Sequence, residues 1–211
     1  MSAAAQEIPI MNKSLKRLID GNHRFVNSTC KSLVDYHVNR LSTIEAQKPF
    51  ALILACSDSR VSPEIIFDQG IGDLFVIRVA GNILEEVQWE TIKFGVEILG
   101  IDAILVLGHE SCGAVQATIE KADLEIPLIR EQISKGISNL TNINYAAKTN
   151  VRYVVGKLKE RLKDKNAEVF GGFYHISSGE VEILSETPVP LHALRPPPPN
   201  PQCYSPPLKL K

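Results

Sequence analysis

The sequence predicts an α/β protein with a predominantly parallel central sheet flanked by helices, an N-terminal helical arm and a C-terminal edge hairpin. Two observations carry this prediction. Short, continuous apolar runs rich in Val, Ile and Leu recur along the chain, which is typical of strands buried on both faces of a parallel sheet. Segments with helical spacing of apolar residues lie between these runs, and such alternation favours right-handed crossovers within one sheet.

The first predicted element is a helix over residues 14–26. Its apolar residues, among them Leu15, Leu18 and Phe25, recur at helical spacing, and Gly21 is its weak point. An amphipathic arm of this kind can pack on a partner subunit or on its own domain, and the sequence leaves both possibilities open.

Four apolar runs predict strands, and a fifth strand closes the sheet. The four runs are residues 50–55 (FALILA), 74–80 (LFVIRVA), 102–108 (DAILVLG) and 168–176 (EVFGGFYHI). After the last run, Ser178-Gly179 is typical of a hairpin turn, so the segment that follows it is predicted to pair as an edge strand.

Four helices are predicted between the strands, one of them over the helix-like segment AVQATIE at 114–120. Ser62 and Pro63 resemble an N-cap and a first-turn proline, and they open a short helix that runs to Phe67. Residues 84–99 and residues 150–163 carry apolar stripes with a period close to 3.6, so each predicts an amphipathic helix packed on the sheet.

Domain organisation follows from a change of composition near residue 186. Residues 1–185 are predicted to form one domain, with residues 1–11 flexible. Residues 186–211 hold nine of the 13 prolines of the chain. Proline cannot sustain a helix or a strand ladder, so a disordered, extended tail is predicted there.

Composition predicts a cytoplasmic globular protein. Apolar residues make up 44% of the 211 residues, and the formal net charge of −1 argues against a basic surface for nucleic acid. No apolar run approaches the roughly 18 residues of a membrane span, and the first residues lack the apolar core of a signal peptide. The four cysteines are too sparse for a disulfide framework. In a reducing compartment they are expected to bind metal or to take part in chemistry.

Polar residues follow two of the predicted strands. Cys56 comes directly after the first strand, and His109 and Cys112 come after the third. Because the carboxyl ends of neighbouring parallel strands meet in one crevice, these three side chains are predicted to converge. Two thiolates and an imidazole suit zinc, and three protein ligands leave a fourth position open, as in catalytic sites.

Asp58 and Arg60 stand two residues apart in the turn after Cys56, a spacing that places both side chains on one side of an extended segment. They are either a surface ion pair of little energetic value or an orienting pair, in which Arg60 holds Asp58 as an acceptor at the metal's fourth position. Alternatively, Asp58 itself swings in as a fourth ligand and closes the site.

These motifs resemble the β-class carbonic anhydrase family. The residues that carry the resemblance are CSDSRV at 56–61 and GHESCGAV at 108–115, with FDQGIGDLFVIRVAGN at 67–82 between them. The similarity extends from about residue 18 to residue 184, and the paired motifs are highly specific.

The resemblance implies a zinc-dependent lyase that hydrates carbon dioxide reversibly to bicarbonate and a proton by means of a zinc-bound hydroxide. Cys56, His109 and Cys112 would bind one zinc ion per subunit, and Asp58 would pair with Arg60 in an open site or ligate zinc in a closed one. It also implies homodimers, often assembled into homotetramers, with N-terminal helices lying across the neighbouring subunit.

Two positions depart from the family pattern. Members that are closed by a non-catalytic bicarbonate site usually carry Trp three residues before the first zinc-binding Cys, but this chain has Ile53 there, although Arg78 resembles the arginine of that site. Non-allosteric behaviour is therefore expected. Some members also place a Gln near the substrate; Gln69 does not align cleanly with that position, and it is the candidate here for substrate binding.

Two other functions remain open at this level. A related hydrolase of carbonyl sulfide or carbon disulfide would use the same metal ligands on another small linear substrate. A non-enzymatic zinc-stabilised module, with the Pro-rich tail as its working part, is the third possibility. Asp58 and Arg60 argue against that module, because a purely structural site would more often use a fourth Cys or His.

Overall fold

The computed structural model describes the following residues, apart from the side chains of residues 33–36: 12–31, 33–122, 124–137 and 139–185. The segment predicted to be flexible, residues 1–11, and the predicted disordered tail, residues 186–211, lie outside the described residues.

A five-stranded sheet with the order β2-β1-β3-β4-β5 organises this part of the chain. The strands are β1 (Ala51–Ala55), β2 (Leu74–Arg78), β3 (Ala103–His109), β4 (Glu168–Tyr174) and β5 (Val181–Leu184). β1 pairs in parallel with β2 and β3, and β3 pairs in parallel with β4. β5 alone is antiparallel, as a partner of β4. The predicted mostly parallel sheet and its closing edge hairpin are therefore confirmed.

The connection between β4 and β5 is longer than the tight turn that Ser178-Gly179 indicated. It spans residues 175–180, and the Gly179 N–H donates to the His175 carbonyl at 2.8 Å. Gly179 has a φ of +82°, a conformation that glycine adopts without a steric penalty.

Helices cover both faces of the sheet in the described residues. In chain order they are α1 (Lys13–Val26), α2 (Leu33–Ser42), α3 (Pro63–Ile66), α4 (Glu86–Glu97), α5 (Gly113–Ile119), α6 (Pro127–Ile137) and α7 (Ile143–Arg161). A 3-10 turn, Ala80–Asn82, follows β2. No helix in this part of the chain combines the length and the apolar character needed to cross a membrane.

Three helical predictions need correction. α7 begins seven residues earlier than predicted, because the Asn142 side chain caps it by accepting a hydrogen bond from the Tyr145 N–H. Ser62 stands at the N-cap of α3, but its side chain makes no capping hydrogen bond. α6 was not predicted, although the four-residue spacing of Ile129, Ile133 and Ile137 is its signal in the sequence.

Gly21 is a close-packing position of α1 rather than its weak point. A Cβ at Gly21 would lie 1.8 Å from the Phe67 carbonyl oxygen, so only glycine allows α1 to approach the end of α3. The next residue, Asn22, is buried and donates to the carbonyls of Ile66 at 3.1 Å and Gly179 at 2.8 Å. The structure thus packs α1 on its own chain.

The core lies in two layers, one on each face of the sheet. Alternate residues of β1 point to opposite faces, so Leu54 belongs to the layer with α5, α6 and α7, and Ile53 to the layer with α1 and α3. Cys56 and Cys112 are buried at the edge of the first layer. The carboxyl end of the interior strand β1 therefore places Cys56 in a water-poor environment.

Candidate metal centre

The carboxyl ends of β1 and β3 bring the three predicted ligands together. Cys56 follows the last residue of β1, His109 is the last residue of β3, and Cys112 caps α5. Their ligand atoms all lie within 4.8 Å of one another, and all three residues are buried. The predicted convergence is confirmed, because β1 and β3 are adjacent and parallel and so end at the same edge of the sheet.

Hydrogen bonding selects the tautomer of His109 that binds a cation. Its Nδ1 lies 2.9 Å from the Glu110 carbonyl, which can only accept, so Nδ1 carries the proton. Nε2 then keeps its lone pair. This buried nitrogen has no hydrogen-bond partner in the described part of the chain. Because an unpartnered buried polar atom is costly, a metal ion at Nε2 would remove that cost.

The thiols of Cys56 and Cys112 are hydrogen-bonded to each other. A hydrogen bond with Cys112 lowers the pKa of Cys56 to about 4, and the same bond raises the pKa of Cys112 well above its usual range. The Gly81 N–H also donates to Cys56 Sγ at 3.3 Å, which favours the thiolate. A dication would displace the proton of this hydrogen bond and give the Cys₂His donor set that suits zinc.

Asp58 lies beside this group and is bound by Arg60. The Arg60 guanidinium donates from Nε to Oδ1 at 2.9 Å and from a terminal nitrogen to Oδ2 at 2.8 Å. This bidentate bond is the main cause of a pKa for Asp58 well below its usual range. Asp58 Oδ2 is 3.9 Å from His109 Nε2. Asp58 nevertheless stays outside the metal-ligand group, whose members must all lie within 4.8 Å of one another. The structure therefore has the open arrangement, with Asp58 on Arg60.

Two arginines hold the backbone around Asp58. Arg78, which pairs with Ala55 at the end of β2, donates to the Cys56 carbonyl at 3.2 Å and to the Asp58 carbonyl at 2.7 Å. Arg60 also reaches the Ser111 carbonyl at 3.3 Å. Sequence reasoning noted Arg78 only for its resemblance to a bicarbonate-site arginine. Its position at the end of a predicted strand is the sequence feature that could have indicated a role in holding the backbone near Cys56.

The Gln69 side chain makes its hydrogen bonds away from the three ligands. Its amide donates to the Phe67 carbonyl at 2.7 Å and accepts from Arg17 Nε at 3.1 Å, so it joins α1 to the end of α3. A role for Gln69 in substrate binding stays a prediction. Ile53, at the position where some relatives carry Trp, is fully buried in β1.

Comparison with known proteins decides the family. The family model for carbonic anhydrases matches residues 51–181, which include all three ligands. The chain belongs to the β-class carbonic anhydrases. The carbonic anhydrase of Mycolicibacterium smegmatis is 35% identical over 188 residues, covering 81% of this chain and 91% of that protein. Carbonic anhydrase 2 of Mycobacterium tuberculosis is 44% identical over 104 residues, covering 49% of this chain and 50% of that protein.

A solved structure supports the same assignment. The β-carbonic anhydrase CcaA superposes with a TM-score of 0.61 at 27% identity, covering 81% of this chain and 95% of that one. The family resemblance of the two Cys-containing motifs is thereby confirmed. The β-carbonic anhydrases depend on zinc, and the buried Cys56, His109 and Cys112 group is the matching donor set in this chain.

Proposed function

We propose that this chain is a zinc-dependent carbonic anhydrase that converts carbon dioxide and water reversibly to bicarbonate and a proton. The observation that carries the proposal is a buried Cys56, His109 and Cys112 group with an ionised carboxylate, Asp58, 3.9 Å from His109 Nε2. A purely structural site has no use for a carboxylate held next to the ligands by an arginine. The family membership of the chain supports the same reaction.

Three residues would hold the metal, and two of them make hydrogen bonds that prepare them for it. His109 presents Nε2 because its Nδ1 is bound to a carbonyl, and the Gly81 N–H favours the thiolate of Cys56. Zinc held by these residues and Cys112 would acidify a water molecule and so supply hydroxide near neutral pH. The metal's fourth position stays free for this chemistry while Asp58 is bound to Arg60.

Asp58 orients the attacking group. Its pKa is far below neutral, so the carboxylate accepts hydrogen bonds and donates none. An O–H group that donates to Asp58 has its lone pair directed away from the carboxylate, toward the space where carbon dioxide approaches. Arg60 restrains both carboxylate oxygens, which keeps Asp58 in this role and out of the ligand set.

Stopped-flow hydration of carbon dioxide by zinc-replete protein tests the proposal. We expect rapid hydration by the wild type. The Cys56→Ser and His109→Ala variants should lose both zinc and activity, because each removes a ligand. Full zinc occupancy with normal turnover in either variant would contradict the ligand assignment. A parallel assay with carbonyl sulfide identifies the substrate, and a protein that binds zinc but hydrates neither compound would be a non-enzymatic module.

We also propose that the chain forms homodimers or homotetramers. Val87 and Phe94 of α4 are 72% and 46% exposed, and Ile98, directly after the helix, is 69% exposed. This apolar strip lies beside the edge strand β2, since the rings of Phe94 and Phe75 are 6.3 Å apart. A second copy that covers the strip would bury apolar surface and protect a strand edge. Light scattering coupled to size-exclusion chromatography measures the oligomeric state, and a monomer at micromolar concentration would contradict this proposal.

A cytoplasmic location is proposed on chemical grounds. The site requires Cys56 and Cys112 as reduced thiolates, and both are free cysteines in the structure. Reducing compartments maintain that state. Fractionation of the source cells tests the location, and recovery of the protein outside the cytoplasm would contradict it.

A further inference from the structure

The turn over Ala80–Asn82 connects the metal group to a helix that supplies none of its ligands. On one side of the turn, the Gly81 N–H donates to Cys56 Sγ at 3.3 Å. On the other side, the Gly81 carbonyl accepts a hydrogen bond from Asn150 Nδ2 of α7 at 2.8 Å. Gly81 is therefore bound at once by a predicted zinc ligand and by a side chain of α7.

The backbone conformation of this turn is uncommon. Gly81 and Asn82 have φ values of +70° and +42°, so two consecutive residues occupy the left-handed region. The φ of Gly81 disfavours any residue with a Cβ, and a Cβ there would also lie 2.6 Å from Ile133 Cδ1 of α6. Tertiary contacts are needed to hold such a turn, and the bond from Asn150 is one of them.

Asn150 occupies a position where packing alone favours an apolar residue. It is 1% exposed and lies on the buried stripe of α7 between Ala146 and Val154, each four residues away. A buried amide is costly unless it is hydrogen-bonded, and the bond that its nitrogen makes is the one to Gly81. Its Oδ1 has no hydrogen-bond partner in the described part of the chain. The hydrogen bond that the Asn150 amide nitrogen donates to Gly81 is therefore the reason for an asparagine at this position.

We propose that Asn150 is a positioning residue of the metal centre, which holds the Gly81 turn so that the Gly81 N–H is donated to Cys56 Sγ. This inference rests on the proposed function, because it takes Cys56 as a zinc ligand. The hydrogen bond from the Gly81 N–H fixes the orientation of the Cys56 side chain and withdraws electron density from its sulfur. Outer partners of this kind typically change metal affinity by about 10-fold to 100-fold when they are removed.

The Asn150→Ala variant tests the inference, with Asn22→Ala as the matched control. Both substitutions remove a buried asparagine whose amide donates to backbone carbonyls, but Asn22 binds Ile66 and Gly179 on the opposite face of the sheet. Zinc affinity is measured by competition with a chelator, and the sulfur-to-metal charge-transfer absorption is measured on Co²⁺-substituted protein. We expect Asn150→Ala to bind zinc about 10-fold to 100-fold more weakly and to shift the absorption band. Asn22→Ala should lower stability without either change.

A folded Asn150→Ala protein with wild-type zinc affinity and an unshifted Co²⁺ band would overturn the inference while leaving the proposed function intact. If Asn150→Ala does not fold, Gly81→Ala tests the same link from its other end. Alanine is strained at the Gly81 φ of +70°, so the turn and its N–H must shift relative to Cys56, and the Co²⁺ band must shift with them. An unshifted band there would equally overturn it. A wild-type protein that binds neither zinc nor Co²⁺ would overturn the proposed function and this inference together.

Discussion

Replacement of Gly21 by alanine is expected to destabilise the protein, although the same change stabilises most helices. Alanine is better than glycine inside a helix by about 1 kcal/mol. In α1, however, the new Cβ would lie 1.8 Å from the Phe67 carbonyl oxygen, whereas real Cβ contacts essentially never fall below 3.0 Å. α1 must therefore move away from the end of α3 by about 1 Å.

The cost follows from the bonds that this movement breaks. Asn22, the next residue of α1, makes three hydrogen bonds: it donates to the carbonyls of Ile66, at the end of α3, and Gly179, before β5, and it accepts from the Val181 N–H of β5. At about 1 kcal/mol each, their loss outweighs the gain in helix propensity. The free energy of unfolding should fall by about 2 kcal/mol, which corresponds to a melting temperature lower by about 4–8 °C for a chain of this size.

Urea denaturation followed by circular dichroism measures the effect. Gly156→Ala is the matched control, because Gly156 lies in α7 and a Cβ there meets nothing within 4 Å. That variant should be more stable than the wild type by about 0.5–1 kcal/mol. A Gly21→Ala protein as stable as the wild type, or more stable, would refute the close-packing argument.

Three further predictions concern Asp58 and its partner. Asp58→Ala should keep its zinc and hydrate carbon dioxide about 100-fold more slowly, since the attacking group is no longer aligned; unaltered stopped-flow kinetics would reduce Asp58 and Arg60 to a surface pair. Arg60→Ala should also retain zinc and lose activity. Arg161→Ala, which breaks an ion pair with Glu86, should keep its activity, and equal rates in the two variants would contradict a role for Arg60. Because the folded pKa of Asp58 is depressed, its pairing stabilises the fold above the unfolded pKa of about 3.9 and is lost as pH falls toward the folded value. The stability difference between wild type and Asp58→Asn should therefore shrink below about pH 4 in denaturation experiments, and a constant difference would show that the pairing is not coupled to folding.

The parts of the fold that sequence predicts are those with a strong local pattern. The run that forms β1 is apolar throughout because both faces of that strand are covered, and such a run predicts a buried parallel strand. α2 and α6 were not predicted: no motif marked either helix, and the isoleucine spacing of α6 is a short apolar pattern without a cap residue to define its start. Gly21 illustrates a different limit, since its role depends on a carbonyl that is 46 residues away in the chain.

The candidate zinc ligands were accessible from the sequence because two of the three residues stand directly after apolar runs. Parallel strands end together, so Cys56 and His109 had to meet once β1 and β3 were neighbours. No such rule concerns Asn150. A polar residue inside an apolar helical stripe signals a buried hydrogen bond, but the identity of its partner depends on how α7 crosses the sheet.

Sequence by itself thus predicted the class of fold and the candidate metal ligands, because apolar periodicity and strand ends are local properties, and the motifs CSDSRV and GHESCGAV indicated the family. The tertiary structure decided that Asp58 lies on Arg60, with a bidentate bond of 2.9 and 2.8 Å, and outside the ligand group. It also decided that Asn150 supports Cys56 through Gly81. These outcomes depend on distances between side chains of different elements, and such distances are set only when the helices pack on the sheet.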